Sequence, residues 1–353
     1  MINISKFKNT ILEKVKNNKI KLLLFIVTIL LIRIIYIKYN PRVEEEIVDL
    51  KWPFINILDE KGKKINIVCL RGPLEHDKDK DLFKDFIKQK KLIIGCSSYL
   101  SFPNECFNKM CKYKNFFIDG KRVDEITKGW LHTFRDDTTI KSKHKLLLSE
   151  SDFSDNIEKL KNFDISNKKI KYDFICYCPD DEGGCDGWNH TNKNWPLAKK
   201  TIETACNIFN LRGILVGRKK SDVYVSETKL EKYGMLPFHD FLNKISESRF
   251  IIISSYEDAS PRVMSEAMLL NTPLLVNSDI IGGWKYINKE TGLFYNESNI
   301  SSQIDKMLKM SFNPRKYYLN NHGINHSGKE LRDFIVKIDS SFSKYKYMGF
   351  PVS

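Results

Sequence analysis

The stretch that decides the fold is residues 250–277, FIIISSYEDASPRVMSEAMLLNTPLLVN. Its apolar, β-branched start predicts a short buried strand. Ser260 and Pro261 predict the beginning of a helix, with the serine as N-cap and the proline at the first helical position. Asn-Thr-Pro at 271–273 ends this helix, and a second apolar strand follows at 274–276. A strand, a helix and a strand in succession indicate a parallel sheet flanked by helices.

Three carboxylates, Glu257, Asp258 and Glu266, lie within this stretch. The first two follow the strand, and Glu266 is nearly two turns into the predicted helix. Open α/β sheets bind ligands in the crevice at the carboxyl ends of their strands. The three acids are therefore candidates for a binding site. The alternative interpretation is a solvated helix face.

The alternation of strands and helices extends along most of the chain. The other strand-like runs are at 65–70, 91–95, 145–148, 172–178, 212–217 and 234–237. With 353 residues, the chain is long enough for two domains and a tail. We place the first domain at 65–168, the second at 169–310, and a helical tail at 311–353.

The chain is strongly basic, with 58 Lys and Arg against 44 Asp and Glu and a formal net charge of +14. Such a charge raises the possibility of a nucleic-acid partner. The lysines are scattered, however, and they form no Arg-rich stripe or recognisable nucleic-acid module. We therefore expect no nucleic-acid partner. The positive charge favours anionic ligands or a membrane surface.

The first 64 residues predict a membrane anchor. Residues 1–21 form a basic tail with six lysines, and residues 22–38 are apolar apart from Arg33 and Lys38. A helix over this run reaches about 24 Å, and its flanking cations can snorkel to the interfaces of a core of about 27–30 Å. Residues 39–64 form a polar stem. The charge asymmetry predicts a single-pass type II protein of an endoplasmic-reticulum or Golgi-like membrane, with a lumenal body. A buried or surface helix is the alternative.

Cys176, Cys178, Cys185 and His190 suggest zinc at first sight, but their spacing fits no standard zinc motif. A disulfide involving Cys178 and Cys185 is an equally acceptable interpretation in a lumenal protein. We expect no metal requirement.

Residues 172–300 resemble the nucleotide-binding half of retaining glycosyltransferases of the GT-B fold, family 4 ("group 1"). The resemblance rests on FIIISS, EDASPRVMSEAM, NTPLLVNS, GG and TGLFY. A softer similarity, in GWLHTF and GWNHTNKNWPLAKK, is to glycosyltransferases encoded by large DNA viruses. In the family, two acids are separated by seven residues. Asp258 and Glu266 have this spacing, and Glu257 fits if the register shifts by one.

The resemblance implies an α/β protein with two Rossmann-like domains facing a cleft. It implies that Lys193 binds the donor phosphates; the family's arginine shortly before that lysine has no counterpart. Gly217 and Arg218 stand at the glycine-rich strand end of the next unit. Cations and helix N-terminal amides bind a diphosphate. We therefore predict that Arg218 and the backbone amides of Arg262, Val263 and Met264 also bind the donor phosphates.

Carboxylates accept paired hydrogen bonds from vicinal hydroxyls. Glu266 is therefore expected to hold the ribose, and Asp258 or Glu257 the donor sugar. His132 matches a histidine that the family often has in its first half, although a structural role is the alternative. The expected activity is transfer of a sugar from a nucleoside-diphosphate sugar to a glycan, protein or lipid acceptor, with retention and without a metal. The alternatives are a glycosyltransferase-like binding protein without turnover, and a basic, metal-stapled nucleic-acid-binding protein.

Overall fold

The computed structural model describes residues 27–28, 47–104, 117–166, 168–180 and 188–351. Residues 49–353 form one compact unit, and of the unit before it only residues 27, 28, 47 and 48 are described. Within the described ranges, no helix has the length and apolar character needed to cross a membrane. The anchor predicted at 22–38 lies outside these ranges except at Val27 and Thr28, so it stays a prediction.

The first half of the unit is built on a mixed six-stranded sheet. Its strands are β1 (Phe54–Asp59), β2 (Lys64–Leu70), β3 (Leu92–Cys96), β6 (Trp130–His132), β7 (Lys145–Leu147) and the terminal strand Met348–Gly349. Two further strands of two residues each, β4 (Phe117–Ile118) and β5 (Lys121–Arg122), pair antiparallel in a separate hairpin. Strands β2, β3, β6 and β7 run parallel, whereas β1 is antiparallel to β2. The stretch predicted as a stem therefore supplies a strand of the sheet.

The second half is built on an all-parallel sheet. Its strands are β8 (Tyr172–Tyr177), β9 (Gly213–Val216), β10 (Leu230–Tyr233), β11 (Ser248–Ile253), β12 (Leu274–Asn277) and β13 (Gly292–Tyr295). Apolar side chains cover both faces of this sheet, as parallel sheets require. The strand predicted at 234–237 is wrong: β10 ends at Tyr233, and Pro237 already precedes a helix.

Ten α-helices connect and cover the sheets in the described part of the chain. They are α1 (Asp77–Lys88), α2 (Val123–Ile126), α3 (Glu158–Lys161), α4 (Trp188–Asn192), α5 (Trp195–Glu203), α6 (Phe238–Ser246), α7 (Arg262–Leu269), α8 (Ile300–Lys309), α9 (Pro314–Asn321) and α10 (Ser327–Ile338). Helix α5 begins directly after its N-cap residue Asn194. The Asn194 side chain accepts a hydrogen bond from the Leu197 amide, and a π-helical turn, Thr204–Ile208, continues α5.

From α10 onwards, the chain returns to the first half. Leu331 and Phe334 of α10 pack in the same apolar cluster as Ile57 of β1. The strand β14 (Met348–Gly349) then pairs antiparallel with β1. Each large apolar side chain buried in this way stabilises the fold by about 1.5–3 kcal/mol. The end of the predicted tail is thus part of the first sheet's core, whereas Tyr318 of α9 packs in the core of the second half.

Candidate functional site

The strand order of the second sheet marks the place for a ligand. Numbered along the chain, its six strands lie in the order 3-2-1-4-5-6, because β10, β9 and β8 extend to one side and β11, β12 and β13 to the other. The order reverses between β8 and β11, which are paired. In such sheets the crevice beyond the carboxyl ends at this switch point binds the ligand. Lys193 follows β8, and Asp258 and Glu266 follow β11.

Lys193 and Asp258 form an ion pair at the switch point. The Nζ of Lys193 lies 2.6 Å from Oδ2 of Asp258, and both side chains are largely buried. Ser254, after β11, donates a hydrogen bond to the Lys193 carbonyl and holds the loop in place. Burial alone would lower the pKa of Lys193, but the Asp258 carboxylate outweighs it and raises that pKa. Lys193 therefore carries its positive charge into the crevice.

Glu266 lies in α7 and is 7% exposed. No residue in the described ranges donates a hydrogen bond to its carboxylate. Burial raises the pKa of Glu266 to about 7, and Arg262 opposes this only in part. A buried carboxylate without a donor is costly, so this side chain is suited to receiving hydrogen bonds from a ligand.

The beginning of α7 differs from the prediction. The helix begins at Arg262 with Pro261 at the N-cap position, and no side chain caps it. Ser260 is not the N-cap, because its hydroxyl lies 2.8 Å from that of Ser151 in the first half. The serine therefore connects the two halves of the molecule.

The three predicted residues at this helix start are placed differently. Arg262 is exposed, Val263 is half-buried, and both line the crevice. The Met264 side chain is fully buried below them, and its amide donates to the Pro261 carbonyl at 2.9 Å. The amide of Met264 is thus already used within the protein, which argues against its predicted role with phosphate.

Gly217 and Arg218 support the loop after β8 and do not line the crevice. Gly217 has φ of +91°, and a Cβ there would meet the Pro179 backbone at 2.7 Å. Arg218 is fully buried: its guanidinium lies over the Trp195 ring and donates to the carbonyls of Cys178 and Pro179. The prediction that Arg218 meets the donor phosphate therefore conflicts with its placement, because the Trp195 stack and the two carbonyls hold its charge below the surface.

The crevice at the switch point is a cleft of about 470 Å³, which we call the switch-point cleft. It is lined by Tyr177, Lys193, Val216, Met235, Leu236, Phe238, Phe241, Asp258, Ser260, Pro261, Arg262, Val263 and Glu266. The lining combines apolar side chains with charged groups of both signs. Apart from Val263, the apolar members were not predicted as site residues, since their pattern in the sequence is that of ordinary core positions.

Glu257 lies beside the cleft, in a second, smaller space. This pocket of about 140 Å³ lies between the two halves, and we call it the inter-half pocket. Glu257 is 4% exposed, and Lys193 and Asp258 line both the pocket and the cleft. Asp258, with the seven-residue spacing, thus shares the cleft with Glu266, whereas Glu257 lines the pocket alone.

His132 ends β6 in the first half and lines neither space. Its Nε2 is 3.8 Å from Oδ2 of Asp137. Burial lowers the pKa of His132, and Asp137 offsets this in part. The ring is consequently neutral at neutral pH.

A buried polar cluster joins the two halves next to the cleft. Asp152 is fully buried and accepts hydrogen bonds from Lys285 at 2.6 Å and from Tyr286 at 2.8 Å. His322 lies 3.3 Å away. Burial alone would raise the pKa of Asp152, but Lys285 and His322 hold it well below its usual range. We call these four residues the seam cluster. Sequence reasoning did not group them, because Asp152, the Lys285–Tyr286 pair and His322 are far apart in the chain.

Cys176 of β8 and Cys178 just after it are buried, free thiols. Burial raises the pKa of both Cys176 and Cys178. Cys178 takes part in no disulfide, so that alternative is wrong for this structure; Cys185 lies outside the described residues. Among the described residues, no group of three or more His, Cys, Asp or Glu side chains is placed to hold a metal ion.

Comparison with known proteins identifies the fold. A scan against protein-family models and a search of curated proteins both give no match. Among solved structures, a glycosyltransferase from Rickettsia africae ESF-5 matches with a TM-score of 0.51 at 13% identity, over 78% of this chain and 77% of that chain. Sucrose-phosphate synthase from Thermosynechococcus elongatus matches with 0.46 at 13%, over 74% and 72%. TarM matches with 0.47 at 12%, over 70% and 50%, so this chain spans about half the length of TarM. The likeness to the Rickettsia africae structure shows that the chain has the α/β fold of the GT-B glycosyltransferases.

Proposed function

We propose that this protein is a glycosyltransferase that binds a nucleoside-diphosphate sugar in the switch-point cleft. The observation that carries the proposal is the buried Glu266 carboxylate, without a donor in the described residues, in the same cleft as the Lys193 ammonium. A carboxylate that needs hydroxyl donors and a cation that suits phosphate match the two polar parts of a nucleotide. The apolar side chains that line the cleft suit the base.

The ligand's groups can be assigned to residues by charge. Glu266 accepts hydrogen bonds from the ribose hydroxyls, and Lys193 meets the diphosphate. When the phosphate binds Lys193, the partner Asp258 becomes available to the hydroxyls of the sugar. The exposed Arg262 adds positive charge at the mouth of the cleft. A pKa of about 7 for Glu266 also reduces repulsion between this acid and the incoming diphosphate.

We infer retention of configuration and a family 4 type of reaction from the resemblance of residues 172–300 to that family. In that reaction, the bond between the anomeric carbon and the diphosphate oxygen breaks and a bond to the acceptor oxygen forms on the same face. The acceptor hydroxyl gives its proton to the leaving diphosphate. The acceptor in this proposal is a glycan, protein or lipid. We also propose that the protein is similar to glycosyltransferases encoded by large DNA viruses.

The test is release of free nucleotide from a panel of UDP- and GDP-sugars, together with calorimetric binding of UDP and GDP. Wild-type protein should bind one of the diphosphates and release it from one of the sugar nucleotides, and Glu266→Gln should do so much less efficiently. Binding without release by the wild type would support the alternative of a binding protein without turnover. A wild-type protein that binds no nucleotide would refute the proposal.

The first acid can be assigned in the same assay. Asp258→Asn is expected to be more damaging than Glu257→Gln, because Asp258 shares the cleft with Glu266 and Glu257 does not. The opposite order would show that Glu257 serves as the first acid.

We further propose that residues 22–38 anchor the protein in a membrane with the body in the lumen. Full-length protein should sediment with membranes and resist alkaline carbonate, whereas a chain that begins at Val43 should remain in the supernatant. Full-length protein that stays in the supernatant without detergent would remove the anchor.

A further inference from the structure

A short 3₁₀ helix of the first half packs against α7, the helix that carries Glu266. It spans Glu150–Asn156, shortly after β7, and we call it the contact turn. The hydroxyls of Ser151 and Ser260 lie 2.8 Å apart, and those of Ser154 and Ser265 lie 2.7 Å apart. Both distances are normal for O–H···O hydrogen bonds. The contact turn therefore holds the second half at two points, one just before α7 and one within it.

The contact turn is itself fixed on the first half. Its first residue, Glu150, accepts a hydrogen bond from the Ser98 hydroxyl at 2.8 Å and forms an ion pair with Arg71 at 3.0 Å. Ser98 follows β3 and Arg71 follows β2, so the turn is tied to two neighbouring strands. It is a firm support for the helix packed on it.

Ser154 and Ser265 form the deeper of the two contacts, and both are fully buried. The Ser265 hydroxyl donates to the Arg262 carbonyl at 2.8 Å, one turn earlier in α7. Because a hydroxyl has a single proton, Ser265 then accepts from Ser154. The Ser154 proton also reaches the Ser151 carbonyl, at the longer distance of 3.2 Å. Loss of a partner at a buried hydroxyl is costly, so this contact defines the position of α7.

Glu266 directly follows Ser265 in α7. Consecutive side chains leave the axis of an α-helix about 100° apart. One side chain of this pair therefore meets the contact turn, and the next lines the switch-point cleft. Ser154 lines neither the cleft nor the inter-half pocket. A shift of α7 against the contact turn would move Glu266 within the cleft.

We propose that Ser154 is a positioning residue of the donor site, which acts through Ser265 to hold Glu266 against the ribose. This inference rests on the proposed function, since the ribose is the group assigned there to Glu266. Ser154 itself touches no part of the nucleotide in that assignment. Its removal should weaken the ribose contact and leave the contacts of the base and the phosphates in place.

The test measures binding to wild type and to Ser154→Ala by calorimetry. The probes are the preferred nucleoside diphosphate, UDP or GDP, and its 2′,3′-dideoxy analogue, which keeps the base and phosphates but lacks both ribose hydroxyls. Wild type should bind the analogue about tenfold or more weakly, because Glu266 loses its donors. Ser154→Ala should lose about fivefold or more in affinity for the diphosphate and about twofold or less for the analogue. A purely structural role of Ser154 would change both affinities together or neither.

A second substitution tests whether Ser154 acts through Glu266. In Glu266→Gln protein, the further change Ser154→Ala should alter affinity for the diphosphate by about twofold or less, because the contact that Ser154 positions is already weakened. A further loss of about fivefold in that background would place the effect of Ser154 on another group and overturn the proposal.

Ser248→Ala is the matched control. Ser248 is also fully buried, and its hydroxyl donates to the Lys244 carbonyl at 2.8 Å. It stands at the first residue of β11, at the opposite end of this strand from the cleft. The control should leave both affinities within about twofold of wild type. If Ser154→Ala does not fold, Ser265→Ala breaks the same hydrogen bond from the side of α7 and should show the same selective loss.

The outcomes for wild type and variant separate this inference from the proposed function. Equal losses for the two ligands in Ser154→Ala, or no loss for the diphosphate, would overturn the role of Ser154 and leave the proposed function standing. Wild type that binds both ligands equally would refute the ribose contact of Glu266, and this inference with it. Wild type that binds neither UDP nor GDP would overturn both.

Discussion

Two buried carboxylates in this molecule, Asp152 in the seam cluster and Glu266 in the switch-point cleft, behave in opposite ways. Asp152 has a lysine, a tyrosine hydroxyl and a histidine around it, and its pKa is held well below the usual range. Glu266 has no donor in the described part of the chain, and burial raises its pKa to about 7. Burial opposes the charge of both groups. The hydrogen-bond and charge partners of each carboxylate therefore decide whether its pKa is lowered or raised.

The difference separates a structural acid from a candidate binding acid. The hydrogen bonds of Asp152 are made within the protein and tie residue 152 of the first half to residues 285 and 286 of the second. The Glu266 carboxylate remains available, and it lies where the strand order of the sheet favours a ligand. A buried acid with its donors in place should therefore matter mainly for stability, and one without them mainly for binding.

The largest effect is expected from breaking the seam cluster. Asp152→Asn leaves Lys285 buried without its charge partner, which should cost about 3–5 kcal/mol of unfolding free energy. Urea denaturation followed by circular dichroism measures this loss. The control is Asp305→Asn, whose partner Lys309 is exposed, and which should cost about 1 kcal/mol or less. Equal effects of the two variants would show that the seam cluster contributes little to stability.

Glu266→Gln should have the opposite character. It keeps the shape but replaces a charged acceptor, so it should reduce kcat/KM by about 30- to 1000-fold, equivalent to about 2–4 kcal/mol. Its melting temperature should not fall, since an amide is easier to bury than a carboxylate without partners. The control is Glu290→Gln, at an exposed position. Wild-type turnover in Glu266→Gln would show that Glu266 does not bind the ribose; its burial already contradicts the alternative of a solvated helix face.

The pH dependence of stability sharpens the same comparison. Glu266 has a raised pKa of about 7 in the folded protein, so the folded state binds its proton more tightly than the unfolded state. Wild type and Glu266→Gln should therefore be most similar below about pH 4.5. The variant's relative advantage should grow between about pH 4.5 and 7, by about 3 kcal/mol for a shift of this size, and then level off. Urea titrations of both proteins at several pH values measure the difference. If the difference in unfolding free energy did not change with pH, the pKa of Glu266 would not be raised. Its carboxylate would then have hydrogen-bond partners or contact with solvent.

Sequence reasoning predicted the second half of the molecule better than the first. The strands of an all-parallel sheet are continuous apolar runs, such as the one at 250–254, and their order places Lys193 and the acids together. The first sheet instead takes β1 from a stretch that reads as a stem and β14 from the end of the chain. Such long-range pairings leave no local pattern. Arg218 shows the same limit, because its neighbour Trp195 is adjacent only in the fold.

The Lys193–Asp258 pair shares one feature with each of the two carboxylates. Asp258 has a charge partner, as Asp152 does, and the pair lines the same cleft as Glu266. If it is a binding pair, Lys193→Ala should weaken affinity for the preferred nucleoside diphosphate by about 1.5–3 kcal/mol, or about 10- to 150-fold. Affinity for the free nucleoside should hardly change, because the nucleoside has no phosphate to meet the ammonium. Lys200→Ala is the matched control: Lys200 is exposed on α5 and pairs with the exposed Glu297. Calorimetric titrations with nucleoside and diphosphate measure both affinities. Equal losses for the two ligands, accompanied by a fall in stability like that of Asp152→Asn, would place Lys193 with the structural pairs and leave the phosphate to another cation.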